Sequence, residues 1–144
     1  NLYLKNHNLF SRLMESNSLE SIYQVFEIGA GKYWEDHYTF GKASKKSTKK
    51  LSKKFIDLVV INTLVPIKFC YAKHTGRDWN DELISLMSEL GREDNSIIKN
   101  FDKMGPKTQN ALESQAKLEL YTNYCVKNKC MQCVIGTQLL NRNT

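Results

Sequence analysis

Three cysteines near the C-terminus, Cys125, Cys130 and Cys133, stand in the pattern C-x4-C-x2-C. Thiolates are soft ligands that suit zinc or an iron–sulfur cluster, each of which ordinarily takes four. Cys130 and Cys133 are three residues apart and share a face of a helix start. Cys125 ends the preceding helix, so a turn of four residues brings the three together. A helix N-terminus and the neighbouring Lys127 and Lys129 would favour the thiolate form. The fourth ligand stays open between Cys70, His74, His37 and none. Two further readings stand beside the metal one: the thiols fill a small core, since free cysteine packs as a small hydrophobe, or two of them form a redox pair.

A second chemical signal is charge. Residues 41–54, GKASKKSTKKLSKK, carry Lys42, Lys45, Lys46, Lys49, Lys50, Lys53 and Lys54 with no acid among them. As a phosphate-contacting patch these lysines would bind nucleic acid with an affinity that falls as salt rises. Tyr33, Trp34, Tyr38 and Phe40 lie just upstream and offer rings on which bases stack. The plainer reading is a solvated loop kept open by self-repulsion, with the aromatics in the core.

The third signal, FDKMGPKTQNAL at 101–112, resembles the helix–hairpin–helix of DNA-repair proteins, in which a glycine hairpin offers backbone N–H groups to a phosphate. Phe101, Met104, Gly105, Pro106, Lys107 and Thr108 fit that pattern. Lys103 stands where its first glycine belongs, and Gln109 where its alanine belongs. An ordinary helix corner closed by Gly-Pro competes with it. GAGK at 29–32 fails as a phosphate-binding loop, because Phe26 and Tyr33 occupy the places of the required Gly and Ser/Thr. There is no HExxH and no GxSxG, and His7, His37 and His74 are isolated. The chain is expected not to be an enzyme.

These groups need a scaffold, and the scaffold is expected to centre on LSKKFIDLVVINTLVPIKFCYAK, residues 51–73. Apolar residues fall on every side of its helical wheel, which predicts a buried core helix over about 53–73. Asp57, Asn62, Thr63, Pro66 and Lys68 break the run short of an uninterrupted membrane span, so no membrane partner is expected. Pro66 should kink the helix, since it lacks an N–H and crowds the carbonyl of Asn62. Upstream, Asn8 and Ser18 read as N-caps of two short helices, and 33–40 as a third with its aromatic side on the central helix. Downstream, Asp78 and Asn95 read as caps, Trp79, Leu83, Leu86, Met87 and Leu90 form an amphipathic stripe, and Leu112 to Tyr124 mark a long helix. No stretch alternates with period two. The expected fold is all-α, an irregular bundle of six to eight helices around one buried helix, in a single domain spanning 1–144. The lysine loop is 41–54 and the cysteine tail 125–144.

The formal charge is +6, and residues 1–77 hold all the excess, with 13 Lys+Arg against 6 Asp+Glu. This asymmetry suits a polyanion partner. Four cysteines without a secretory leader in view point to a reducing, cytoplasmic compartment.

YWEDHYTFGKASKK, LSKKFIDLVVINTLVPIKFCYAKHTG, NSIIKNF and NALESQAKLELYTNYCVKNKCMQCVIGTQLL together resemble the C-terminal part of a family of uncharacterised bacterial proteins, domain of unknown function 2851, seen mainly in Bacteroidetes. The resemblance runs from about Phe10 to Leu140. It implies that the chain is the helical C-terminal portion of a longer protein. The family's N-terminal portion is similar to PD-(D/E)xK nuclease domains, so an N-terminal partner domain, absent here, would carry any catalysis. The resemblance also implies alanine at many positions equivalent to Cys70, which favours a three-cysteine unit.

Overall fold

The structure is a computed structural model describing residues 2–141. It is mostly helical, with one small two-stranded hairpin. The helices are α1 (Leu2–Lys5), α2 (Leu9–Glu15), α3 (Leu19–Phe26), α4 (Lys53–Val59), α5 (Val65–Thr75), α6 (Asn80–Glu89), α7 (Ser96–Met104), α8 (Ala111–Leu120) and α9 (Val134–Asn141). Strands β1 (His37–Thr39) and β2 (Lys42–Ala43) pair antiparallel. The chain divides into two compact units, Asn1–Leu86 and Met87–Thr144, with the division inside α6.

In the first unit α4 and α5 run on as one helix, Lys53–Thr75, through a π-helical turn at Val60–Leu64. Pro66 lies in the first turn after it. The wider turn lets Val65 donate to the Val60 carbonyl and accommodates the proline, which has no N–H for Asn62. The break expected at Pro66 thus falls just ahead of it.

The helix is not buried all round. Ile56, Val60, Leu64, Lys68 and Ala72, four residues apart, form the buried stripe, with Ile61 beside them. Phe55, Leu58, Ile67 and Phe69 stay exposed. The apolar wheel overstated burial because α2 and α3 supply partners for one side only. Among the described residues this is also the one helix long and apolar enough to cross a membrane by length and composition, and a third of its 18-residue apolar window is buried.

Polar ties fix the buried side. The Lys68 ammonium, 2% exposed, donates to the carbonyls of Met14 at 2.9 Å and Ser16 at 2.7 Å. It thereby satisfies the C-terminal carbonyls of α2, where a cation is favoured. Tyr23 donates to Asp57 at 2.5 Å and joins α3 to α4. Burial and this carboxylate push the Tyr23 hydroxyl pKa upward. Ser18 caps α3 in a reciprocal capping box with Ser21, an arrangement that contributes about 1 kcal/mol. Asn8 makes no side-chain cap.

Residues 33–40 do not form a helix on the core. A 3-10 turn, Lys32–Glu35, leads into β1, and the chain reverses at Phe40-Gly41. Gly41 has φ +71°, a left-handed conformation that glycine adopts without penalty and that closes hairpins. Tyr33 stacks on His37, at 4.1 Å between ring centroids. A single turn suffices to bring i and i+4 together, so the pair did not require a full helix.

The second unit has its core at Met87, Leu90, Ile98 and Ala111. Asn95 and Asn110 cap α7 and α8 through their side chains. Fully buried Ser114 accepts from the Glu93 amide and donates to the Asn110 carbonyl, both at 3.0 Å. The Ala111 amide donates to the Leu90 carbonyl at 3.0 Å. After α8 the helix continues through a second π-helical turn, Tyr121–Cys125, followed by a 3-10 turn, Cys130–Gln132, and α9.

Candidate functional site

The lysine segment is more ordered than a self-repelling loop. Lys42 lies in β2, and Lys53 and Lys54 in the first turn of α4. Between them the backbone is tied back three times: Ser44 donates to the Asp36 carbonyl, Ser47 to that of Glu35, and the Lys49 carbonyl accepts from Ala30. Lys49 Nζ donates to the His37 carbonyl at 2.7 Å and sits 3.4 Å from the Tyr38 ring centroid. Lys46 faces Glu35 at 3.4 Å and Lys50 faces Glu27 at 3.7 Å. Such exposed pairs contribute ~0–1 kcal/mol and yield readily to a phosphate. Lys53 lies 5.2 Å over the Tyr23 ring. Lys42, Lys45 and Lys54 are exposed.

Beside these cations stand aromatic rings turned to water. Tyr38 is 72% exposed and Phe40 82%. Tyr33 supports them from behind: its ring lies 5.9 Å from Phe40, and its hydroxyl accepts from the Gly41 amide at 2.9 Å. Trp34 meets Phe40 edge-on at 5.0 Å. His37 Nδ1 faces two acceptors, the Asp36 carboxylate at 2.7 Å and the Tyr33 carbonyl at 3.0 Å, which places its proton there. The hairpin therefore presents flat apolar surface next to positive charge.

The corner at 101–110 is closed from within. The Asp102 carboxylate accepts from the Thr108 hydroxyl at 2.6 Å and the Thr108 amide at 2.8 Å. Lys117 donates to Thr108 Oγ1 at 2.8 Å and to the Pro106 carbonyl at 2.9 Å, and Arg92 pairs with Asp102. The two bonds from Thr108 lead in holding the Asp102 carboxyl down at about 2, with Lys117 and Arg92 adding to them. The Gly105 amide is spent on Phe101 and the Gln109 amide on Glu113, and Pro106 has none. The Gly105, Thr108 and Gln109 N–H groups are thus engaged, and an acid stands among them. Gly105 itself is extended, with φ −162°. The corner is a structural clamp. Sequence reading had no access to it, because Asp102, Thr108 and Lys117 follow no spacing rule.

Cys125, Cys130 and Cys133 line one cavity of about 510 Å³ in the second unit. Cys125 ends the π-helical turn, Cys130 opens the 3-10 turn and Cys133 directly precedes α9. Cys133 is buried, and the other two are exposed. Among the described residues no group of three or more His, Cys, Asp and Glu is placed to hold a metal ion. Of the other ligands considered, Cys70, His74 and His37 belong to the first unit. Gly136 sets the closeness of α9: a Cβ there would lie 2.4 Å from the Cys130 carbonyl oxygen. A glycine inside an apolar helical run is the sequence signal for such an approach.

The family described as "Protein of unknown function (DUF2851)" matches residues 1–96, two thirds of the chain, and the protein belongs to it. The hairpin, the lysine segment and the central helix fall inside the match; the corner and the cysteine tail fall outside it, so the tail motif is not part of what the match covers. No curated protein and no solved structure matches the chain.

Proposed function

We propose that this chain is a non-catalytic accessory domain of a cytoplasmic protein that holds single-stranded nucleic acid on the β1–β2 hairpin and the lysine segment behind it. One observation carries the proposal: Tyr38 and Phe40 are exposed on a braced turn within a segment bearing seven lysines and no acid. Exposed rings on a braced turn offer flat faces for stacking. Bases stack on them with little regard to sequence, while lysines track the phosphates. Such a site would serve a catalytic domain elsewhere in a longer protein by keeping the strand in place. Each base–aromatic stack contributes about 1–3 kcal/mol, so Phe40→Ala should weaken binding of a fluorescent single-stranded oligonucleotide roughly 5-fold or more. Unaltered affinity in Phe40→Ala and in Tyr38→Ala would reject the stacking role.

The open face of the central helix favours a second reading, a protein-interaction domain. Phe55, Leu58, Ile67 and Phe69 are each exposed by over two-fifths, an apolar surface that another domain of the parent protein would cover. The two readings separate cleanly: Phe69→Glu should leave oligonucleotide binding intact if the hairpin is the site.

A further inference from the structure

The apolar residues of α9 and of the turn before it lack cover. Of residues 121–141 only Cys133 is buried, while Val126, Met131, Val134, Ile135, Leu139 and Leu140 are all more than half exposed. Ile135 and Leu139, one helical turn apart, line the cavity of about 510 Å³ in the second unit, as do Phe101 and Met104 of α7 and Leu120 of α8. Met104 is 76% exposed, so the hollow is an open apolar groove and not a closed core. Charge around it has one sign. No aspartate or glutamate lines it, and residues 121–141 contain none. Lys103 and Lys107 bracket Met104, Gly105 and Pro106 in the chain, and Lys127 and Lys129 lie between Cys125 and Cys130; all four lysines are exposed. The acids of the flanking elements are engaged: Asp102 with Arg92 and Lys117, Glu113 with the Gln109 amide, and Glu119 with Asn123.

We propose that this groove receives an acidic amphipathic helix of a partner protein. The helix would seat its apolar side chains against Met104, Leu120, Ile135 and Leu139 and set its carboxylates on the four lysines. Two features select this occupant. An amphipathic helix is a convex ridge with apolar anchors at i, i+3, i+4 and i+7, and such a ridge fills a hollow. A bilayer instead takes up an apolar face that projects into it, and the residues here line a concavity. The unbalanced lysines then fix the sign of the helix's polar face, since complementary charge speeds encounter and rejects partners of like charge. This site lies wholly in the second unit and does not depend on the nucleic-acid reading of the hairpin, which lies in the first.

The test titrates the full chain into a fluorescein-labelled synthetic peptide of about 18 residues, with leucines at helical spacing on one face and glutamates among alanines on the other. Fluorescence anisotropy should show saturable binding that weakens as salt rises. Met104→Glu and Leu139→Glu, both at exposed positions, should each weaken it about 10-fold or more with circular dichroism unchanged. Replacing Lys103, Lys107, Lys127 and Lys129 by glutamine should weaken it and flatten its salt dependence, whereas the same change at the seven lysines of residues 41–54 should leave it intact. Bound peptide should slow alkylation of Cys130, which lines the groove, and not that of Cys70 in the first unit. No saturable binding, equal affinity for the peptide with lysine in place of glutamate, or binding that survives Leu139→Glu would overturn the proposal. So would sedimentation with phosphatidylglycerol vesicles that Leu139→Glu abolishes, which would make the occupant a lipid.

Discussion

Lys49 Nζ lies 3.4 Å from the centroid of the Tyr38 ring, and this contact joins the lysine segment to the hairpin. The same ammonium donates to the His37 carbonyl at 2.7 Å. One lysine of the seven is thus a brace, and its removal should loosen the platform rather than only lower its charge. An exposed cation–π contact contributes ~0.5–1 kcal/mol. Lys49→Gln should therefore speed hydrogen exchange at the Ser44 and Ser47 amides roughly 2- to 5-fold. Unchanged exchange would mean that the backbone ties to Asp36 and Glu35 hold the hairpin alone.

Lys68 gives a prediction about the core. Burial lowers its pKa, with Glu82 opposing. Between that lowered value and the unfolded ~10.4, the unfolded chain binds a proton that the folded chain does not. Stability should therefore rise with pH across that window. Lys68→Met abolishes the rise and leaves the Met14 and Ser16 carbonyls without their donor, a loss of about 1–3 kcal/mol. Urea unfolding at neutral and alkaline pH measures both effects.

The clamp at Asp102 should show in acid. Its folded pKa of about 2 lies below the ordinary 3.8. The ionised form thus adds stability that is complete above the unfolded value and is lost as pH falls from there through about 2. Wild type should exceed Asp102→Asn in stability at neutral pH, and the gap should narrow across that acid range. A gap that stays constant down to pH 2 would show that charge is not what closes the corner.

Gly136→Ala would place a methyl 2.4 Å from a backbone oxygen that cannot swing aside. Relief requires α9 to lift from Cys130, at a cost on the order of 1–3 kcal/mol. The melting temperature should drop, and the Cys133 thiol should react faster with a disulfide reagent.

Capping was partly legible in the sequence because it is local: Ser18 and Asn95 act where their types suggest, whereas Asn8 makes no cap. The helical character of Lys53–Thr75 was equally plain. Its half-open state was not, since a wheel shows which residues are apolar and not how many neighbours arrive to cover them. The hairpin was hidden by brevity. Three residues of β1 and two of β2 cannot display an alternation, and the aromatic i,i+4 pairs in YWEDHYTF imitate a helix. The seven lysines and four upstream aromatics were legible as a candidate site, but their brace, Lys49 on Tyr38, joins positions eleven apart and belongs to tertiary structure. The three cysteines were legible by spacing; their shared cavity depends on Phe101, Leu120 and Leu139, which no motif connects.

The lysine face is tested most directly by titrating a labelled single-stranded oligonucleotide with the protein over a series of salt concentrations. With three to seven lysines on phosphates, log K should fall linearly with log[salt] at a slope of about −2 to −5. Replacing Lys42, Lys45, Lys46, Lys49, Lys50, Lys53 and Lys54 by glutamine should remove both the binding and the slope. Undetectable binding at low salt, or a slope that survives the seven replacements, would contradict the account.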